Sequence, residues 1–363
     1  MNTIPLKDFQ LEIFKEAIKK DLSNNVVLSP ISLLFPLAIL SKGAKGQTLT
    51  EFQNVLNDSA NKNIYTENLN VIYNTIKNDE CLKIANAILT KVKVNAPFIQ
   101  KGQSLNIQFD ALKDAQKVNA WVKEKTNGKI NKIIDQIDPL CIMVILNALY
   151  FHDDWKNKFD IRKTKLEPFY LSDQKEKKVN LMYHFSKNAI YFQNEKLQAI
   201  KLLYNTSKIS ATIVLPTKGI NINDFIINMK THDFFNIFHN MKTEEVELYL
   251  PKIKLETSMV LDQMLDQLGL KEAYKESADF SSLTNHKPIY ISNVNQKTYF
   301  EMDEKGTTAA AVTSVTLKTK SINSINNIRY LMRCDRPYLI FLTQYCPGIK
   351  KTLILFCAKI ENP

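Results

Sequence analysis

The side chains able to do chemistry do not assemble into a catalytic or metal-binding motif. The five histidines, His152, His184, His232, His239 and His286, lack metal-ligand spacing. The chain also lacks G-x-S-x-G, HExxH, a phosphate-binding P-loop and G-x-G-x-x-G. Each histidine reads as a surface or hydrogen-bonded residue rather than a catalyst. The five cysteines, Cys81, Cys141, Cys334, Cys346 and Cys357, are odd in number and have no C-x-x-C spacing, and Cys141 and Cys357 lie in apolar runs. Reduced structural thiols are expected, not a disulfide framework or a zinc site. No enzyme activity, cofactor or metal is expected.

The informative segment is the tract from Glu304 to Ser321, EKGTTAAAVTSVTLKTKS, whose small residues suit either an exposed loop or a buried strand. Val312, Thr313, Val315, Thr316 and Leu317 favour a pleated, half-buried setting, and Gly306 alone marks a bend. Strand side chains alternate between faces, so residues 307, 309, 311, 313, 315 and 317 form one set: Thr, Ala, Ala, Thr, Val, Leu. The other set ends in Thr316 and Lys318 and suits a partly covered face. Hence the tract can enter a sheet without burying a charge before Lys318.

The elements that would position this tract are α and β without strict alternation, so an α+β fold is expected. Phe9, Ile13, Phe14, Ala17 and Ile18 mark an opening amphipathic helix, and an apolar helix follows from about Ser32 to Ser41. Thr48 and Glu51 read as a capping box, Asp114 as the cap of a helix that stops at Gly128, and a helix near residues 257 to 268 ends at Gly269. Strand-like runs cover residues 82–92, 142–151, 211–215 and 245–250, and residues 338–344 and 352–358 form a buried hairpin around Pro347 and Gly348. The chain has 363 residues, 45% hydrophobic and 23% charged, with no linker, repeat or low-complexity stretch, so one domain spanning 1–363 is expected. Its net charge of +11 is scattered, and Lys175, Lys177 and Lys178 lack aromatic interleaving, so a solvated face is expected rather than a nucleic-acid groove. No stretch reaches 18 apolar residues and the first residues have no signal-peptide core, so no membrane association is expected. The sequons at Asn57 and Asn205 would matter only in the secretory pathway.

Distributed motifs then identify a resemblance. NVVLSPIS (25–32), VILNALYFHDDW (144–155), LPKIKLE (250–256), LGLKEAY (268–274), ADFS (278–281), DEKGTTAAA (303–311) and RPYLIFL (336–342) occur in the order found in serpins. The chain resembles that family from its first helix to Pro363, and within it the ovalbumin-like type without a signal peptide. The resemblance implies three β-sheets, about nine helices and a reactive-centre loop at about 304–335. It implies a monomeric suicide substrate for a serine protease, cytoplasmic or exported by an unconventional route.

Site residues follow from the same resemblance. The hinge is Glu304, Gly306, Thr307, Thr308, Ala309, Ala310, Ala311, Val312 and Thr313; residues 307 to 313 are small, without charge or proline, as insertion demands. Counting Gly306 as position one sets the reactive bond at Lys320–Ser321, implying a trypsin-like target first. Lys318, a cut at Thr319 or beyond Ser321, and chymotrypsin-like recognition of Leu317 or Tyr330 remain open, since 321–336 is longer than usual for the family. Ser29, Ser32 and Asn147 match the family's polar shutter, with Gln296 where it usually has histidine, and Trp155 matches the tryptophan of the breach, where the loop first enters the sheet. Residues 64–79 contain Lys77 as their only basic residue, so no glycosaminoglycan activation is expected there. A non-inhibitory carrier, chaperone or storage serpin, or a cysteine-protease inhibitor, is the alternative.

Overall fold

The apolar run after Ile142, broken only by Asn147, becomes the strand Met143–Phe151, buried at every residue, as a strand covered on both faces must be. The computed structural model describes residues 8–56, 67–77, 81–307 and 329–363, and among these it contains nine α-helices, three 3-10 turns and sixteen strands. Met143–Phe151 occupies the middle of a five-stranded sheet ordered Ile253–Val260, Ile291–Met302, Met143–Phe151, Leu82–Thr90, Ile107–Ala111. It pairs antiparallel with Leu82–Thr90 and parallel with Ile291–Met302, with Gln296 opposite Asn147.

A nine-stranded sheet packs beside it. Its long strand Glu176–Gln193 passes pairing from Lys165–Tyr170 near its start to Leu197–Leu203 at its end. The C-terminal hairpin Tyr338–Cys346 and Lys351–Ile360 turns through Pro347–Ile349 and lies in this sheet. A third, two-stranded sheet pairs Gly306–Thr307 with Asp153–Asp154. The mixed α+β architecture with three sheets is therefore present.

Helices close both faces of the five-stranded sheet. Phe9–Lys20, capped by Asp8, and the largely apolar Pro30–Gly43 join one core with Met143, Ile145, Leu149 and Phe151. Val118 and Val122 of Ala115–Lys125, with Ile130 and Ile133 beyond it, cover the opposite face through Leu146, Ala148 and Tyr150. Asp114 caps that helix, accepting from the amides of Gln116 and Lys117.

Three local expectations change. The helix Gly46–Val55 has Lys45 at its N-cap position, before Thr48; Thr48 instead accepts the Asp279 amide and Glu51 accepts those of Lys271 and Glu272, so tertiary donors replace the capping box. Residues 257 to 260 complete the strand Ile253–Val260, confining the following helix to Asp262–Leu268; Gly269 does end it, at φ 110°. Gly306 begins the short strand pair instead of marking a bend, and it is glycine because an added Cβ would lie 2.1 Å from the Asp153 carbonyl oxygen.

Candidate functional site

Two clusters bind the central strands of the five-stranded sheet, one at mid-height and one at the mouth. The first brings together Ser29, Ser32, Asn147 and Gln296, all buried. Ser29 and Ser32 come from the turn that starts the Pro30–Gly43 helix, and the two amides from neighbouring strands. Gln296 Oε1 accepts the Ser29 amide at 2.7 Å, and its Nε2 donates to the Ser29 carbonyl at 2.9 Å and to Asn147 Oδ1 at 2.5 Å. Ser32 Oγ donates to Asn147 Oδ1 at 2.7 Å, and Ser29 Oγ to the Leu355 carbonyl at 2.7 Å. Asn147 Nδ2 donates to Asn86, a buried member on the Leu82–Thr90 strand that the sequence reading missed. Ala85 to Thr90 are all buried, so the one signal in LKIANAILT is an amide side chain within an otherwise apolar stretch. The glutamine thus both donates and accepts, tying two strands to the helix beneath them.

The second cluster surrounds Trp155, which is 2% exposed. Its Nε1 donates to the Asp303 carbonyl at 2.9 Å and its amide to that of Lys305 at 2.7 Å. The indole stacks on Tyr204 with centroids 4.4 Å apart, and the Tyr204 hydroxyl lies 2.8 Å from Thr307 Oγ1. His152 donates through Nδ1 to the Thr307 carbonyl at 2.8 Å. Gly306 pairs with Asp154 and Thr307 with Asp153, and Thr307 is fully buried.

Glu304 fixes the same segment electrostatically. Its carboxylate meets Lys252 Nζ at 2.9 Å and accepts from Thr164 Oγ1 at 2.7 Å, while its carbonyl accepts the Phe159 amide at 2.9 Å. Burial pushes its carboxyl up, but Lys252 and Thr164 outweigh that and hold it below the ordinary 4.5. Burial pushes the Tyr204 phenol up, so it stays a neutral hydroxyl.

Of the expected site residues, Glu304, Gly306, Thr307 and Trp155 meet at the mouth, and Ser29, Ser32, Asn147 and Gln296 meet below. Thr308, Ala309, Ala310, Ala311, Val312, Thr313, Lys320 and Ser321 lie outside the described residues. The sequence reading did not single out Tyr204, Lys252 or Thr164. They are far apart in the chain, and no local pattern marks them as neighbours of the hinge.

Comparison with known proteins agrees with this architecture. Serpin B11 of Homo sapiens is 30% identical, with 98% of this chain and 98% of that protein covered. The native structure of tengpin, a thermophilic serpin, superimposes with a TM-score of 0.84 at 28% identity, over 98% of this chain and 92% of that one. A thyroxine-binding globulin in complex with thyroxine has a TM-score of 0.84 at 24% identity, over 98% and 97% of the two chains, and shares the fold. Residues 5–363 match the family described as Serpin (serine protease inhibitor). With that match running from the first helix through both strand-locking clusters to the last residue, this chain belongs to the serpin family.

Proposed function

We propose that this serpin inhibits serine proteases as a suicide substrate, with the loop beyond Thr307 as bait. The observation that carries the reading is the seated root, Gly306 against Asp154 and Thr307 against Asp153. Continued antiparallel without a bulge, that register would set Ala309, Ala311, Thr313, Val315 and Leu317 opposite Phe151, Leu149, Asn147, Ile145 and Met143. Directly opposite residues share a face. Those five strand residues are buried, and Met143, Ile145, Leu149 and Phe151 belong to the core beneath the sheet. Apolar loop residues would then meet apolar positions, and the one polar inward residue, Thr313, would meet Asn147. Lys318 would fall opposite Ile142, beyond the strand end.

The chemistry follows. The protease serine attacks the carbonyl before the scissile bond, Lys320–Ser321 in our reading; the ester to the new C-terminal end forms, and the amine of Ser321 leaves with the C-terminal fragment. Insertion of the freed strand would then separate Ile291–Met302 from Met143–Phe151, gaining ladder hydrogen bonds and side-chain burial before water cleaves the ester. Trapping is a race between insertion and hydrolysis. Lys320 favours a protease with an anionic specificity pocket.

The test is incubation with a trypsin-like and a chymotrypsin-like protease, followed by denaturing electrophoresis. A complex resistant to boiling is expected with the trypsin-like enzyme, and mass spectrometry of the released fragment should find Ser321 at its N-terminus. Cleavage without complex would return the chain to a non-inhibitory role such as carrier, and complex formation with a papain-like protease would add a cysteine-protease target.

A further inference from the structure

We propose that Tyr204 is a positioning residue that fixes the register in which the loop enters the central sheet, an inference that rests on the inhibitory reading above. Tyr204 is held by the core and not by the loop. It is 3% exposed, its ring stacks on Trp155 at an interplanar angle of 15°, and it meets the edge of Phe151 with centroids 4.8 Å apart. Its hydroxyl is therefore a fixed point, and Thr307 Oγ1 lies 2.8 Å from it.

The turn that follows Tyr204 also grips the other half of the same pair. Asp153, opposite Thr307, accepts from Thr206 Oγ1 at 2.7 Å and from the amides of Ser207 at 2.8 Å and Thr206 at 3.3 Å. Residues 204–207 thus hold both members of the Thr307–Asp153 pair, one through the phenol and one through the carboxylate, while His152 secures the Thr307 carbonyl.

Register matters because side chains alternate with a period of two, and a one-residue slip exchanges the faces. In the register set by Thr307 the inward residues would be Ala309, Ala311, Thr313, Val315 and Leu317. A slip that moved Thr308 opposite Asp153 would instead turn Thr316 toward Ile145 and carry Lys318 opposite Met143, burying a charge at the foot of the sheet. Misregistered strands must withdraw and restart, and each delay favours hydrolysis of the ester.

The experiment removes each hydroxyl without changing shape, with Tyr204→Phe and Thr307→Val, and keeps it in Thr307→Ser. The readout is the number of serpin molecules consumed per protease trapped, with association rate measured separately. Tyr204→Phe and Thr307→Val should each raise that number by about threefold or more, the scale of one buried hydrogen bond. The double variant should be no worse than the worse single, Thr307→Ser should match the unsubstituted protein, and association rates should not change. Unchanged consumption in Tyr204→Phe, or additive effects in the double variant, would overturn the proposal. A second readout does not need trapping: cleave the loop with an unrelated protease and follow the rise in thermal stability. A slower rise is expected in Tyr204→Phe; an equal rate would overturn the positioning role. If the unsubstituted protein neither traps nor gains stability on cleavage, the inhibitory reading fails instead.

Discussion

The mid-sheet lock and the mouth hold the same two strands by different physics. The lock, built from Ser29, Ser32, Asn86, Asn147 and Gln296, is neutral, buried and held by hydroxyl and amide hydrogen bonds. The mouth combines stacked aromatics with the Glu304–Lys252 ion pair, whose lysine is 36% exposed. A neutral buried network is costly to break and indifferent to pH near neutrality, whereas a partly solvated ion pair is weaker, screened by salt and titratable. The fold thus places a strong, pH-insensitive restraint at mid-height of the two strands and a weaker, titratable one at their end.

Four substitutions would break or sharpen that contrast. The largest effect is expected from Thr307→Arg, which forces a charge into a fully buried position at the mouth. Boiling-resistant complex should fall by roughly an order of magnitude or more while cleavage persists, because this single-residue cost exceeds about 1.4 kcal/mol; undiminished complex on gels would refute it. Next, Asn147→Leu removes the buried hydrogen bonds to Ser32, Gln296 and Asn86 and should cost about 3 kcal/mol in urea unfolding. A loss no larger than that from Glu304→Gln would erase the distinction between the regions.

Gln296→His would move titration into the lock. Burial lowers an imidazole's native pKa, so the unfolded chain would bind more protons and stability would rise with pH, being lost as pH falls below about 6.5. Stability measured from pH 5 to 8 should acquire that slope in the variant alone. The smallest effect is expected from Glu304→Gln, about 1 kcal/mol, reduced at high salt. Because the native Glu304 value lies below 4.5, its contribution is present above 4.5 and lost as pH falls through the lower native value. Melting curves across acid pH should show a difference between the unsubstituted protein and the Glu304→Gln variant that closes at the acid end; a constant gap would count against the ion pair.

Much of this was legible in the chain. The nearly continuous apolar run from Ile142 to Phe151 reads as a core strand, and Met143–Phe151 is one, buried at every residue. Gln296 could be aligned to the lock by counting back from DEKG, and it does bond Ser29 and Asn147 there. The capping box at Thr48 misled because Thr48 and Glu51 satisfy the amides of residues 271, 272 and 279, more than two hundred positions away. Gly306 misled similarly, since the need for glycine comes from the Asp153 backbone pressed against it and not from a turn.

By itself, the sequence determined the elements whose signals are local: the helices with apolar stripes, the core strands and the C-terminal hairpin. Periodicity and side-chain type act over a few residues, and a reader of the chain sees them directly. Only the tertiary structure decided that Tyr204, His152 and Thr307 meet, that Lys252 closes on Glu304, and that Asn86 completes the lock. Those contacts depend on strand order and register, which pack residues distant in the chain against one another and leave no local pattern in the chain.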